Sequence, residues 1–292
     1  MTVTSADLPR PVGFVLGGGG SLGAVQVGML RALADRDIIA DLVVGTSVGA
    51  LNGAIVALEP AAAATRLAKV WATMTRRQVF PGGPLSQART LRTGRTHLFP
   101  NTGLRAVIDA HLPPDATFAD LAVPFGAVTM DVATATPYVL DKGPLTPALL
   151  ASAAIPGIFP AVTIDGHQLY DGGVVANVPL IQAQAMGARS LVVLDAAFPG
   201  QLPGPPATLA EALLFTAIVT MRVQARLEAP IAATELPVLY LPGPAIQRVS
   251  PLDFTHTDAL ATGAHEAVAA FLDTVTIDGP GLYERSAAQT DL

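Results

Sequence analysis

Short, wholly apolar runs alternate along this chain with longer segments whose apolar positions recur every three or four residues. Residues 12–16 are one such run, closed by four glycines. Over residues 24–34, Val25, Met29 and Leu33 and beside them Val27, Leu30 and Ala34 fall at helical spacing. Residues 42–44 are a second apolar run, 45–49 a turn and 50–58 a second helix. Two strand–turn–helix units in succession predict a parallel sheet with helices on its faces. The pattern continues with a helix over 61–74, strands over 125–133 and 138–141, and a short helix over 147–154. A hairpin over 163–170 turns on Asp165-Gly166. A helix over 180–186 stopped by Gly187, a buried strand over 191–194 and a long helix over 208–227 come next. That long helix is apolar through Leu213, Leu214, Ile218 and Val219, with Arg222 and Arg226 near its end, where the helix dipole favours cations. Residues 238–241 are predicted as the last strand and 258–272 as the last helix. The expectation is one domain over 1–292. Its motif-bearing core runs about 12–200, followed by a C-terminal strand and helices over 205–275 and a polar, frayed tail over 279–292.

Composition sharpens this picture. Hydrophobic residues make up 51% of the chain and charged residues 14%, which raises the question of membrane spans. The uncharged stretches at 11–30, 42–58 and 143–164 are each broken by glycine clusters or prolines, so they read as buried strand, loop and helix. Residues 1–11 lack a basic segment followed by an apolar core, so a cytoplasmic protein is expected, peripheral on the inner membrane face. The absence of cysteine removes disulfides and thiolate chemistry, and five scattered histidines give no metal-binding pair, so neither metal nor cofactor is expected. A net charge of −6 argues against nucleic acid. The charge is uneven, however. No acidic residue lies between Glu59 and Asp109, where Arg66, Lys69, Arg76, Arg77, Arg89, Arg92, Arg95 and Arg105 form a basic region over 66–105. That region is either a solvated face or a contact for an anionic membrane surface. Residues 80–100, rich in Gly, Pro and Arg, are the candidate lid or substrate-contact loop.

Chemistry concentrates at two glycine-rich turns. Gly45-Thr46-Ser47-Val48-Gly49 fits G-x-S-x-G between a strand and a helix, where flanking glycines permit a turn sharp enough to thrust the serine hydroxyl outward. The bland alternative is a helix N-cap serine. Gly17-Gly18-Gly19-Gly20-Ser21-Leu22-Gly23 contains G-x-G-x-x-G, a dinucleotide fingerprint. The acidic residue that such a fingerprint needs at the end of the second strand is replaced by Gly45, Thr46 and Ser47. A P-loop fails for want of a closing Lys-Ser or Lys-Thr. An oxyanion hole remains, built from backbone N–H groups at a helix N-terminus. Two bases compete for the Ser47 proton. One is Asp171 in Asp171-Gly172-Gly173; the other is a triad of Ser47, Asp195 and His256, which has the chain order of α/β-hydrolases. Spacing alone leaves both open. So do two readings from other classes, a non-catalytic lipid or acyl carrier and a nucleotide-binding oxidoreductase.

Four blocks in order over residues 12–200 resemble the patatin-like phospholipase family. Gly17 to Gly23 resembles its oxyanion loop, with donors at Gly18, Gly19, Gly20 and Ser21, and Gly45 to Gly49 its nucleophile elbow. Ala151-Ser152-Ala153-Ala154-Ile155-Pro156-Gly157-Ile158-Phe159-Pro160 resembles its A-S-x-A-x-P-x-x-F-P segment, and Asp171-Gly172-Gly173 its catalytic-aspartate motif. The resemblance implies a three-layer α/β/α fold with a largely parallel sheet. It also implies a Ser47–Asp171 dyad acting on lipid or acyl esters, with no required histidine. One position departs from the pattern: Leu22 stands where the family usually has Arg or Lys. A lost cation there would favour a neutral ester or thioester over a phosphate headgroup.

Overall fold

The computed structural model describes residues 3–82, 96–197, 205–206, 209–245 and 249–285. Most of the candidate lid loop, with Arg89, Arg92 and Arg95, lies outside them, as do the side chains of Leu213, Leu214, Ile218 and Arg222. The apolar runs become β1 (Val12–Leu16) and β2 (Leu42–Thr46), each followed by a helix, α1 (Ala24–Ala34) and α2 (Val48–Leu58). Helices α3 (Ala63–Thr73), α4 (Arg76–Val79) and α5 (Thr102–His111) come next, then β3 (Phe125–Asp131), β4 (Thr136–Leu140) and α6 (Leu145–Ser152). The chain continues through β5 (Val162–Ile164), β6 (His167–Asp171), α7 (Gly173–Ala176), α8 (Leu180–Ala185) and β7 (Ser190–Leu194). It ends with α9 (Leu209–Ala232), β8 (Pro237–Tyr240), α10 (Thr257–Leu272) and β9 (Gly281–Tyr283).

Hydrogen-bonded neighbours in the sheet follow the path β5-β6-β3-β2-β1-β7-β8-β9, with β4 also paired to β3. From β3 to β9 the pairing is parallel, whereas β4, β5 and β6 join antiparallel. Side chains alternate across it. Phe14, Leu16, Val43, Val192, Leu194 and Leu239 point into one apolar cluster with α1, α2, α3, α5, α6 and α10. Val15, Val44, Val128, Leu191, Val193 and Val238 point into the other, with α7, α8 and α9. A helical layer on each face of a mostly parallel sheet gives the three-layer arrangement. Among the described residues no helix is long and apolar enough to cross a membrane.

The structure corrects the expected elements in four places. Residues 238–241 are not the last strand, and the segment after Gly279 is not all tail: Gly281–Tyr283 pairs in parallel with β8 and becomes the sheet's edge. Helix α9 runs to Ala232 rather than 227, because Ala225, Ala229 and Ala232 bury against the sheet; Arg226 therefore falls short of its last turn. Helices α4 and α5 form on either side of the expected 80–100 loop, where the sequence pattern predicts no element.

Strand β3 sets the position of the two strand ends that carry Ser47 and Asp171. β2 pairs with its first half, ending at Thr46 opposite Val128, and β6 with its second half, ending at Asp171 opposite Thr129. β4 spans both halves, Ala127 to Asp131, and so occupies the other edge. β2 and β6 therefore lie end to end along one edge of β3, and Ser47 and Asp171 emerge at adjacent rungs.

Candidate active site

Ser47 follows the last residue of β2 with φ 56° and ψ −126°, a backbone conformation that side-chain-bearing residues rarely adopt. Backbone crowding around it explains the two glycines of the pentad. A Cβ at Gly45 would stand 2.3 Å from the Gly49 carbonyl oxygen, and one at Gly49 would stand 2.1 Å from that of Leu16. The Ser47 amide donates to Ser152 Oγ at 3.0 Å, and that hydroxyl donates to the Val128 carbonyl at 2.7 Å. Ser152 thus ties the turn to both α6 and β3. The sequence block Ala151 to Pro160 contains it but gives no sign of this task.

Asp171 is 2% exposed. Its Oδ1 accepts from the Gly173 amide at 2.7 Å, its own amide donates to the Ala154 carbonyl at 2.9 Å, and the Ser47 side chain lies near enough to its carboxylate to favour the ionised form. Burial raises its pKa from 3.8 to about 6, against the opposing pull of the Ser47 side chain and the Gly173 amide. Gly172 lies so close to β3 that a Cβ there would stand 2.6 Å from the Val128 carbonyl oxygen.

The glycine loop lies against this pair. A Cβ at Gly18 would be 3.1 Å from the Ser47 Cβ. The four loop amides expected as donors do not behave alike. Gly18 already donates to the Asn177 carbonyl at 3.1 Å and Ser21 to the Pro251 carbonyl at 2.8 Å, so neither is free as placed. The amides of Gly19 and Gly20, both part-exposed, have no partner among the described residues. Gly17 and Gly23 bracket the loop, Gly17 donating to the Leu194 carbonyl at 3.0 Å. Leu22 is buried in the larger core cluster.

The triad alternative is not assembled. His256 precedes α10, half exposed, beside Thr255 and 3.7 Å from Asp253. Asp195, at the end of β7, accepts from the Ala197 amide and the Tyr240 hydroxyl. Among the described residues no group of His, Asp and Glu is arranged to hold a metal ion.

An apolar crevice begins at Val48, the residue after Ser47. Its inner part, about 50 Å³, is lined by Leu51, Asn52 and Ile55 of α2, Trp71 of α3, Ile108 of α5 and Leu149 of α6. It shares Val70, Met74, Val107 and His111 with an outer part of about 190 Å³ between α3 and α5.

Comparison with known proteins places this architecture. The chain is 36% identical over 190 residues to patatin-like phospholipase domain-containing protein 7 of Mus musculus, an alignment covering 63% of this chain and 13% of that one. It is 31% identical over 194 residues to lysophospholipase NTE1 of Mycosarcoma maydis, covering 63% and 10%. The matched segment is thus a small part of those longer relatives. Among solved structures, VipD from Legionella pneumophila superposes with a TM-score of 0.51 at 15% identity, over 91% of this chain and 67% of that one, a likeness of fold. Residues 14–183 match the family model of the patatin-like phospholipases, and the chain belongs to that family.

Proposed function

We propose that this protein hydrolyses carboxylic-ester bonds of lipids, in the manner of a phospholipase A, lysophospholipase or esterase, through a Ser47–Asp171 dyad. The observation that carries the reading is that β2 and β6 end at adjacent rungs of β3, which brings Ser47 and the buried Asp171 carboxylate together beside a glycine loop. Ser47 Oγ attacks the ester carbonyl carbon while its proton passes to Asp171, and the amides of Gly19 and Gly20 hold the negative oxygen that forms. Asp171 then gives the proton to the departing alkoxide. Water attacks the resulting acyl-enzyme, losing a proton to the same carboxylate, and as the bond to Ser47 Oγ breaks Asp171 returns that proton to Oγ and the free acid leaves. A carboxylate with a pKa raised to about 6 is a better base for this task than an ordinary one.

The crevice with Val48 in its lining suits an acyl chain, since its inner walls are largely apolar and Val48 directly follows the nucleophile. Leu22, apolar and buried, offers no cation to a phosphate, which supports neutral esters as substrates. Membrane lipid would be reached by transient docking, with exposed Arg76, Arg77 and Arg105 close to the outer crevice.

The deciding experiment is hydrolysis of short and long p-nitrophenyl esters by wild type, Ser47→Ala, Asp171→Asn and His256→Ala. Loss in the first two variants with retention in the third is the expected result. Loss with His256→Ala and retention with Asp171→Asn would instead require a triad. A wild type that binds esters without turning them over would make the protein an acyl carrier.

A further inference from the structure

Three polar side chains lie buried within otherwise apolar packing beside the glycine loop. Gln26 of α1 is fully buried, and Asn52 of α2 and Trp71 of α3 are nearly so. Gln26 Nε2 donates both its protons at the loop's start, to the Gly17 carbonyl and the Leu194 carbonyl, each at 2.9 Å. Asn52 Nδ2 donates to the Gly23 carbonyl at the loop's end, at 3.1 Å, and to Gln26 Oε1 at 2.7 Å. Asn52 Oδ1 accepts from Trp71 Nε1 at 3.1 Å.

Every amide proton of the pair is used, which is the condition under which a buried polar network rigidifies its surroundings rather than costing stability. A pair of leucines would fill these sites without burying polar groups, so packing alone does not explain the choice. The network's contacts offer an explanation. It holds the two ends of the loop, and it couples them to the helix that carries the nucleophile at its start. Between the held ends lie Gly19 and Gly20, whose amides have no partner among the described residues.

We propose that Gln26 and Asn52 are positioning residues that hold the Gly17–Gly23 loop so that the Gly19 and Gly20 amides face the oxyanion of the tetrahedral intermediate formed at Ser47. The inference rests on the hydrolase reading above. An oxyanion hole acts on the transition state, so its misplacement lowers kcat while leaving ground-state binding in the crevice alone. Displacing the donors by a fraction of an ångström is expected to reduce kcat at least about tenfold.

The test measures kcat and KM for a soluble p-nitrophenyl ester in Gln26→Met, Asn52→Ser and the double variant, each normalised to folded protein. Leu33→Ala, a cavity in α1 away from the loop, serves as a control for destabilisation alone. The expected result is a kcat at least about tenfold lower in each single variant, with KM within about twofold in Gln26→Met, whose side chain is outside the crevice lining, whereas Asn52 is part of it. The double variant should fall little further than the worse single, because the pair acts as a unit. Asn52→Ser is the gentler truncation and decides the matter by its kcat if Gln26→Met does not fold. Kinetics equal to those of Leu33→Ala would overturn the proposal, as would a kcat that stays at the wild-type value. A wild type without ester turnover would instead defeat the hydrolase reading itself, so the two failures are distinguishable.

Discussion

Ser47 and Asp171 each occupy a state that costs the fold free energy. At φ 56° and ψ −126°, Ser47 sits where glycine alone is comfortable. Ser47→Gly should therefore be more stable than Ser47→Ala by about 1 kcal/mol, although both lose activity. Urea unfolding of the two variants checks this, and equal midpoints would mean the turn is not strained. Asp171 contributes through its proton. Its folded-state pKa, about 6, lies above the reference 3.8, so the folded protein holds that proton more tightly than the unfolded chain does. Stability accordingly falls as pH rises from about 4 to about 6, and the full cost, about 3 kcal/mol, persists above that window. Asp171→Asn should thus raise the melting temperature at pH 8, have little effect near pH 3, and abolish hydrolysis. In the wild type, kcat/KM should rise with pH on a limb centred near 6, where the carboxylate ionises. A limb near 4 would show that burial does not govern this group.

Elements bring these residues together, and the decisive one is β3, along whose edge β2 and β6 meet end to end. Ser152 at the end of α6 secures that junction. Its replacement by alanine leaves the Ser47 amide and the Val128 carbonyl without their partner, which should cost about 1–3 kcal/mol of stability. The freed elbow should also lower kcat while KM stays near the wild-type value. Denaturant midpoints together with steady-state kinetics test both, and an unchanged kcat would mean that β2 and α2 hold the turn unaided. The strand–turn–helix units at residues 12–58 are legible in the sequence because continuous apolar runs and 3.6-residue spacing alternate there without interruption. Helix α5 is not, since only Leu104 and Ile108 are buried on it. Nor is β9, three residues long with no alternation of its own, which is a strand because β8 offers it an edge. At the site, the glycines and Ser47 can be read from local pattern. Which loop amides are free cannot, because the acceptors that occupy Gly18 and Ser21 come from Asn177 and Pro251, far along the chain. Gln26 and Asn52 do leave a signal, each the one amide side chain in its largely apolar helix, but its meaning depends on the carbonyls they reach.

At the scale of the whole molecule, the uneven charge acquires a location. Arg66 of the basic region pairs with Glu59. Lys69, Arg76, Arg77 and Arg105 are exposed on α3, α4 and α5, and α3 and α5 are the helices that frame the outer crevice. A protein of net charge −6 is repelled as a whole from an anionic surface, so an attraction there must come from a local patch. Cations within a Debye length of anionic lipid contribute about 1 kcal/mol each. Combining Arg76→Glu, Arg77→Glu and Arg105→Glu should therefore lower partition onto anionic vesicles at least about tenfold, with little change on neutral ones. Hydrolysis of a soluble short-chain ester should be unaffected, because these side chains are outside the Ser47 site. Co-sedimentation at low salt, repeated at high salt where screening should weaken the wild type alone, separates charge from apolar adhesion. Equal partition of the wild type onto neutral and anionic vesicles would leave the arginines as a solvated face, and the crevice would then have to receive its ester from solution.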